Sequence, residues 1–165
     1  MANHPASTHL KVVIGEAVIA SSAATLSTVA LEVPVWAMFV GWISFFTRGL
    51  NLKQGMINLA CVLIGLALGT GAAHVMAVLT PVLGDYAISA VVFIITGAAL
   101  SLARAPVFNN LLGCFLGLVA YFAYHQPPSV SKLAVLAMAT TLGATAAFLA
   151  HALQARIRQR APSGG

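Results

Sequence analysis

Residues 37–46 read AMFVGWISFF, and residues 113–122 read GCFLGLVAYF, beginning 76 positions after the first. Phe39/Phe115, Gly41/Gly117 and Phe46/Phe122 are identical pairs. Two further stretches return in the same order. Residues 68–79 (LGTGAAHVMAVL) come back at 142–153 (LGATAAFLAHAL), and residues 23–27 (AATLS) at 97–101 (GAALS), each 74 positions on. All three lie in apolar, membrane-length segments, so the chain reads as one three-segment unit used twice. An odd number of crossings per unit sends the second copy into the bilayer from the opposite face. That inverted arrangement is the signature of many channels and secondary transporters.

The solvent follows from composition. Of 165 residues, 60% are hydrophobic and 7% are charged, against roughly 25% charged in a soluble domain. Too little polar surface is available to solvate a globule, so lipid is the expected surround. The net charge of +5 does not indicate nucleic acid, because the basic residues are few and sit at segment ends, where membrane proteins place them. The apolar run 12–31 after Lys11 is longer than the 7–15 residues of a signal-peptide core. It also matches part of the second half, and is expected to stay in the mature protein.

Six hydrophobic segments are predicted, at 11–31, 34–47, 53–79, 86–103, 107–124 and 132–155. Helices are expected, since near-continuous apolar runs lack the alternation of a membrane barrel and backbone groups in hydrocarbon need partners. Pro34, Gly49, Pro81, Gly84, Pro106 and the Pro127-Pro128 pair punctuate them, proline being unable to continue a helix hydrogen-bond ladder. The expected fold is an all-α integral membrane protein in a single domain over 1–165, with six transmembrane helices as two inverted three-helix repeats. Repeat 1 covers about 10–80 and repeat 2 about 85–155, with a disordered tail at 161–165. With six crossings, Lys11, Arg48, Lys53, Arg104, Arg156, Arg158 and Arg160 share one face, against Lys132 alone on the other. The positive-inside rule then puts both termini in the cytoplasm.

The second segment is short, about 14 residues or roughly 21 Å as helix, against a hydrocarbon core of about 30 Å. The fifth, its partner, opens on Asn109-Asn110. Short or interrupted segments at matching places point to a transport site. Phe39, Trp42, Phe46, Phe115 and Phe122 are candidate pore-lining residues, because aromatic constrictions exclude ions and pass small neutral molecules; ordinary helix packing with lipid-facing aromatics is the competing explanation. Small residues at Gly41, Gly65, Gly69, Gly117 and Gly143 are candidate sites of close helix packing.

Glu16 is the one acid inside a hydrophobic segment. It either reaches the interface or faces a polar vestibule with Asn58, Arg104, Asn109 and Asn110, since intramembrane polar groups tend to pair or line a pathway. His74, His125 and His151 are scattered, and Cys61 and Cys114 lie in apolar segments without companion ligands. No metal site, cofactor or catalytic residue is expected, because no nucleophile with its base, paired acids or ligand cluster is in view.

The block Val33-Pro34-Val35-Trp36-Ala37-Met38-Phe39-Val40-Gly41, with Gly49 and the glycines Gly55 and Gly65 beyond it, resembles the YcdZ-like family of small bacterial inner-membrane proteins, a domain of unknown function (family 1097). The resemblance implies a multi-pass protein of the bacterial inner (plasma) membrane. It supplies no substrate and no functional residues. The expected function is a channel or facilitator for a small uncharged solute, acting as a homo-oligomer in the lipid bilayer. The alternatives are a proton-coupled carrier using Glu16, or a non-transporting membrane scaffold.

Overall fold

A computed structural model of the chain describes residues 4–160; the tail at 161–165, expected to be disordered, lies outside the described residues. Among these residues the fold is all-helical, with no strand. The helices are α1 (His4–Thr25), α2 (Val35–Phe46), α3 (Leu52–Leu83), α4 (Ala87–Leu102), α5 (Leu111–Ala123) and α6 (Val130–Arg160). A π-helical turn, Leu26–Ala30, ends α1.

Local chemistry sets the boundaries. Asn51 caps α3 by accepting from the Gln54 amide at 2.9 Å, and Asn110 caps α5 by accepting from the Gly113 amide at 3.1 Å. Such caps satisfy amides that the first turn of a helix leaves free. The α1–α2 corner is pinned by buried Ser27, whose hydroxyl donates to the Val33 carbonyl at 3.0 Å while the Val33 amide donates to the Ser27 carbonyl at 2.9 Å.

Pro81, expected to end the third segment, lies inside α3 instead. The Thr80 hydroxyl donates to the Met76 carbonyl at 2.7 Å, the kind of side-chain bond that lets membrane helices tolerate proline. The break comes at Gly84, whose φ of 54° is open to glycine and strained for other residues. A single 3₁₀ turn, Gly84–Tyr86, leads into α4.

The six helices form two bundles of three, and each bundle mixes the two sequence repeats. In the first, α1 and α2 pack on α6; in the second, α4 and α5 pack on α3. The two clusters share six corresponding positions. Ile19, Ala23, Met38, Trp42, Leu142 and Ala146 pack together in one. Ile95, Ala99, Cys114, Leu118, Ile64 and Leu68 occupy the same relations in the other.

Backbone meets backbone in both. A Cβ on Gly41 would overlap the Thr140 carbonyl, and one on Gly143 the Met38 carbonyl. A Cβ on Gly65 would overlap the Cys114 carbonyl, and one on Gly117 the Val62 carbonyl. Glycine allows these close approaches, in which dispersion contacts replace side-chain volume. The structural correspondence runs from Gly65 to Gly143, one helical turn away from the sequence match, which aligns Gly69 with Gly143. A helix face with a small residue every fourth position fits its copy almost equally well when slid by a turn, so identity alone misplaced the register.

Among the described residues three helical runs are long and apolar enough to cross a membrane: Ser7–Ala30, Leu52–Leu102 and Val130–Arg160. The second, of 51 residues, contains α3 and α4 on either side of Gly84. The apolar helices α2 and α5 are shorter, at 12 and 13 residues, or about 18 and 20 Å.

Candidate functional site

The two bundles meet along a seam. It is filled by Val33, Ala37, Leu136 and Ala139 from the first bundle and by Leu66, Ala120 and Tyr121 from the second, all buried. Its two ends differ. At the end holding the C-terminus of α2 and the N-terminus of α5, buried polar groups cross from bundle to bundle. Asn58, fully buried on α3, donates to the Arg48 carbonyl at 2.9 Å and to the Phe45 carbonyl at 3.3 Å. Asn110 donates to the Asn58 side-chain carbonyl at 2.8 Å and to the Thr47 hydroxyl at 2.7 Å. Thr47 passes its own proton to the Ser44 carbonyl at 2.7 Å, and the Arg48 guanidinium donates to the Asn109 side-chain carbonyl.

The arrangement follows from where two short helices stop. The last turn of α2 leaves carbonyls without amide partners, and the first turn of α5 leaves amides without carbonyls. Asn58 and Asn110 supply the missing groups, each using both ends of its carboxamide. The network is fully satisfied, and a network of that kind fixes one geometry because any loss leaves a buried group unpaired.

At the other end the seam is apolar. The positions corresponding to Asn110, Asn58 and Arg48 are Pro34, Leu136 and Tyr124. Trp36 and Tyr124 approach with ring centroids 6.3 Å apart. There α5 touches α6 only lightly, whereas α2 packs along α3 at the polar end. One polar atom stands out between the ends. The Tyr121 side chain is 7% exposed, and its hydroxyl is buried with no hydrogen-bond partner among the described residues. The corresponding residue in the first bundle is Phe45.

Among the described residues the buried polar ones are Ser27, Ser44, Asn58, Asn110 and Thr140. All are neutral at every accessible pH. Ser44 and Thr140 bond back to carbonyls of their own helices at 2.7 and 2.9 Å. Among the described residues no group of three or more His, Cys, Asp or Glu is placed to hold a metal ion.

The structure disperses the aromatic candidates. Ala37, Gly41 and Ser44 take the inner face of α2, and helical periodicity turns Phe39 and Phe46 outward, where both are exposed. Trp42 packs in the first bundle's cluster and Phe115 in the second's. Phe115 and Phe122 line an apolar cavity of about 440 Å³ beside α4, together with Val91, Ile95 and Leu118; Phe39, Trp42 and Phe46 are not among its walls.

Of the vestibule candidates, Asn58, Asn109 and Asn110 come together, with Arg48 rather than Arg104 as their cation. Arg104 is exposed beyond α4, and Glu16 is half-buried on α1. Gly69 lies against the Tyr121 ring. Sequence reasoning passed over Thr47 and Tyr121. A hydroxyl standing opposite Phe45 in the repeated block was the one available sign of Tyr121.

Residues 13–155 match the family model described as protein of unknown function (DUF1097). No curated protein and no solved structure matches the chain.

Proposed function

Since the chain belongs to the DUF1097 family of proteins of unknown function, we propose a role on geometry: a six-crossing membrane protein that lets a small uncharged solute pass. The six helices would cross as two inverted sets of three, in the bacterial inner membrane with both termini cytoplasmic. Packing supports the inversion: α2 meets α6 as α5 meets α3, and α1 meets α6 as α4 meets α3. The charge asymmetry supports the orientation, because the polar end of the seam carries Arg48 and the apolar end faces the side of Lys132.

One observation carries the choice of solute. Every buried polar residue among the described residues is neutral, and an ion entering such an interior would shed water for too few replacement dipoles. The chain would act as a homo-oligomer in lipid, without cofactor, metal or covalent step. Purified protein in liposomes should conduct at least one of urea, short amides, ammonia, glycerol or a neutral weak acid. Tight vesicles toward the whole panel would end the facilitator role.

A non-transporting scaffold is the second reading, favoured by the filled seam. It predicts co-purification with a partner at fixed stoichiometry and tight liposomes. A proton-coupled carrier would use Glu16; pH-dependent flux unchanged in Glu16→Gln would rule that out.

A further inference from the structure

We propose that the seam between the two bundles is itself the path for the solute, that the Tyr121 hydroxyl is its hydrogen-bonding station, and that the Asn58–Asn110–Thr47–Arg48 network latches its polar end. This rests on the facilitator role and locates it within one chain rather than between copies.

Three independent features meet in the seam. First, the glycine contacts of backbone on backbone lie inside the bundles: Gly41 and Gly143 join α2 to α6, and Gly65 and Gly117 join α3 to α5, whereas Gly55 crosses the seam only onto the side-chain ring of Phe45. Side chains such as Leu66, Ala120, Leu136 and Ala139 join one bundle to the other. Relative movement therefore costs least along the seam, since helix pairs locked backbone to backbone resist shear and side-chain contacts re-form by rotamer change. Second, Tyr121 packs in the cluster shared by both bundles and its hydroxyl is buried with no hydrogen-bond partner among the described residues, so a partner for it would offset the desolvation of a buried polar group. A small neutral molecule that accepts or donates a hydrogen bond meets that need; an ion or a bulky apolar molecule does not. Third, the hydrogen bonds from bundle to bundle are concentrated at one end, so one end is held by directional bonds and the other by apolar contact alone.

The test uses water access to a cysteine in the seam and does not require knowing the solute. In full-length protein with Cys61 and Cys114 replaced by alanine and reconstituted in liposomes, Ala120→Cys reports the seam and Ala99→Cys reports the interior of one bundle. Both positions are buried. Iodoacetamide, a small neutral amide, alkylates a thiolate, which forms only where water reaches. Alkylation read by mass spectrometry should be at least tenfold faster at residue 120 than at 99. It should rise again when the latch is weakened by Thr47→Val, which removes the acceptor of Asn110 while keeping the shape. Should Asn58→Leu also fold, it gives the same increase. Tyr121→Phe should reduce flux of the conducted solute several-fold without lowering the thermal midpoint. Equal inertness at 120 and 99, with and without Thr47→Val, overturns the seam path. Flux through vesicles in which residue 120 stays inert assigns conduction to the space between copies, and overturns it too. Alkylation at 120 without flux of any panel member upholds the water-accessible seam and refutes the facilitator role instead.

Discussion

The two ends of the seam are built from corresponding residues and hold together by different physics. At one, Asn58 and Asn110 tie the end of α2 to the start of α5 with directional bonds. At the other, Leu136 and Pro34 take those places and apolar surfaces meet around Trp36 and Tyr124. The bundles themselves agree closely, down to which glycine faces which carbonyl. The parts that need shape are thus alike in the two bundles, and the differences fall where the halves meet. Shape is demanding because a single methyl group has nowhere to go at a backbone contact. A seam between halves can carry either polar or apolar contacts so long as each buried polar group finds a partner.

The largest expected effect tests what the bundles share. Gly143→Ala and Gly117→Ala each drive a methyl into a backbone carbonyl of the neighbouring helix. Each should cost about 3 kcal/mol, the upper range for overpacking, and the costs should match. Gly97→Ala, with nothing near its Cβ, should leave the thermal midpoint in mild detergent unchanged or higher. Unequal costs at residues 117 and 143 would break the equivalence of the bundles.

The next effect tests how the ends differ. Asn58→Leu copies the apolar end into the polar one and strands the carboxamide of Asn110. It should cost about 2 kcal/mol, in the range for leaving buried polar groups unpaired. Asn58→Leu with Asn110→Leu should cost clearly less than the sum of the two single changes, because residues of one network couple by about 0.5–3 kcal/mol. Strict additivity, measured by denaturation of the four proteins, would mean the bond between them contributes nothing.

The reverse exchange, Leu136→Asn, places a carboxamide in the apolar cluster of the seam and should cost about 1–3 kcal/mol. The smallest effect is that of Tyr121→Phe, which makes the second bundle resemble the first at Phe45. Removing an unpartnered buried hydroxyl should leave stability level or raise it by up to about 1 kcal/mol. A loss of stability would show that the hydroxyl has a partner in the folded protein.

Much of the architecture could be read before any coordinates. The repeated aromatic and glycine block marked α2 and α5, and the turn residues marked most helix ends. The misreadings have physical causes. Pro81 looked like a stop because its missing amide usually is one, and the neighbouring Thr80 hydroxyl could not be weighed without the helix around it. The third-helix register slipped by a turn because alanine and glycine recur at helical spacing and apolar identity carries little positional information. Asn58, Asn109 and Asn110 were grouped as polar residues near one face. Arg104 was grouped with them as a vestibule candidate, whereas the guanidinium that reaches Asn109 is that of Arg48, brought there by the packing of α2 along α3. The mixing of the repeats, each short helix lying on the long helix of the other, was invisible. It is a relation between residues about a hundred positions apart, such as Gly41 and Gly143, and nothing local announces it.

That mixing also has a consequence for the order in which the protein can assemble as it is made. The helices α3, α4 and α5 leave the ribosome one after another and can complete their bundle as soon as α5 is made. The pair α1 and α2 emerges before them but waits, its glycine face uncovered, until α6 follows. The earlier-made pair is therefore the later to find its packing partner, and its glycine face stays open to other contacts through that interval.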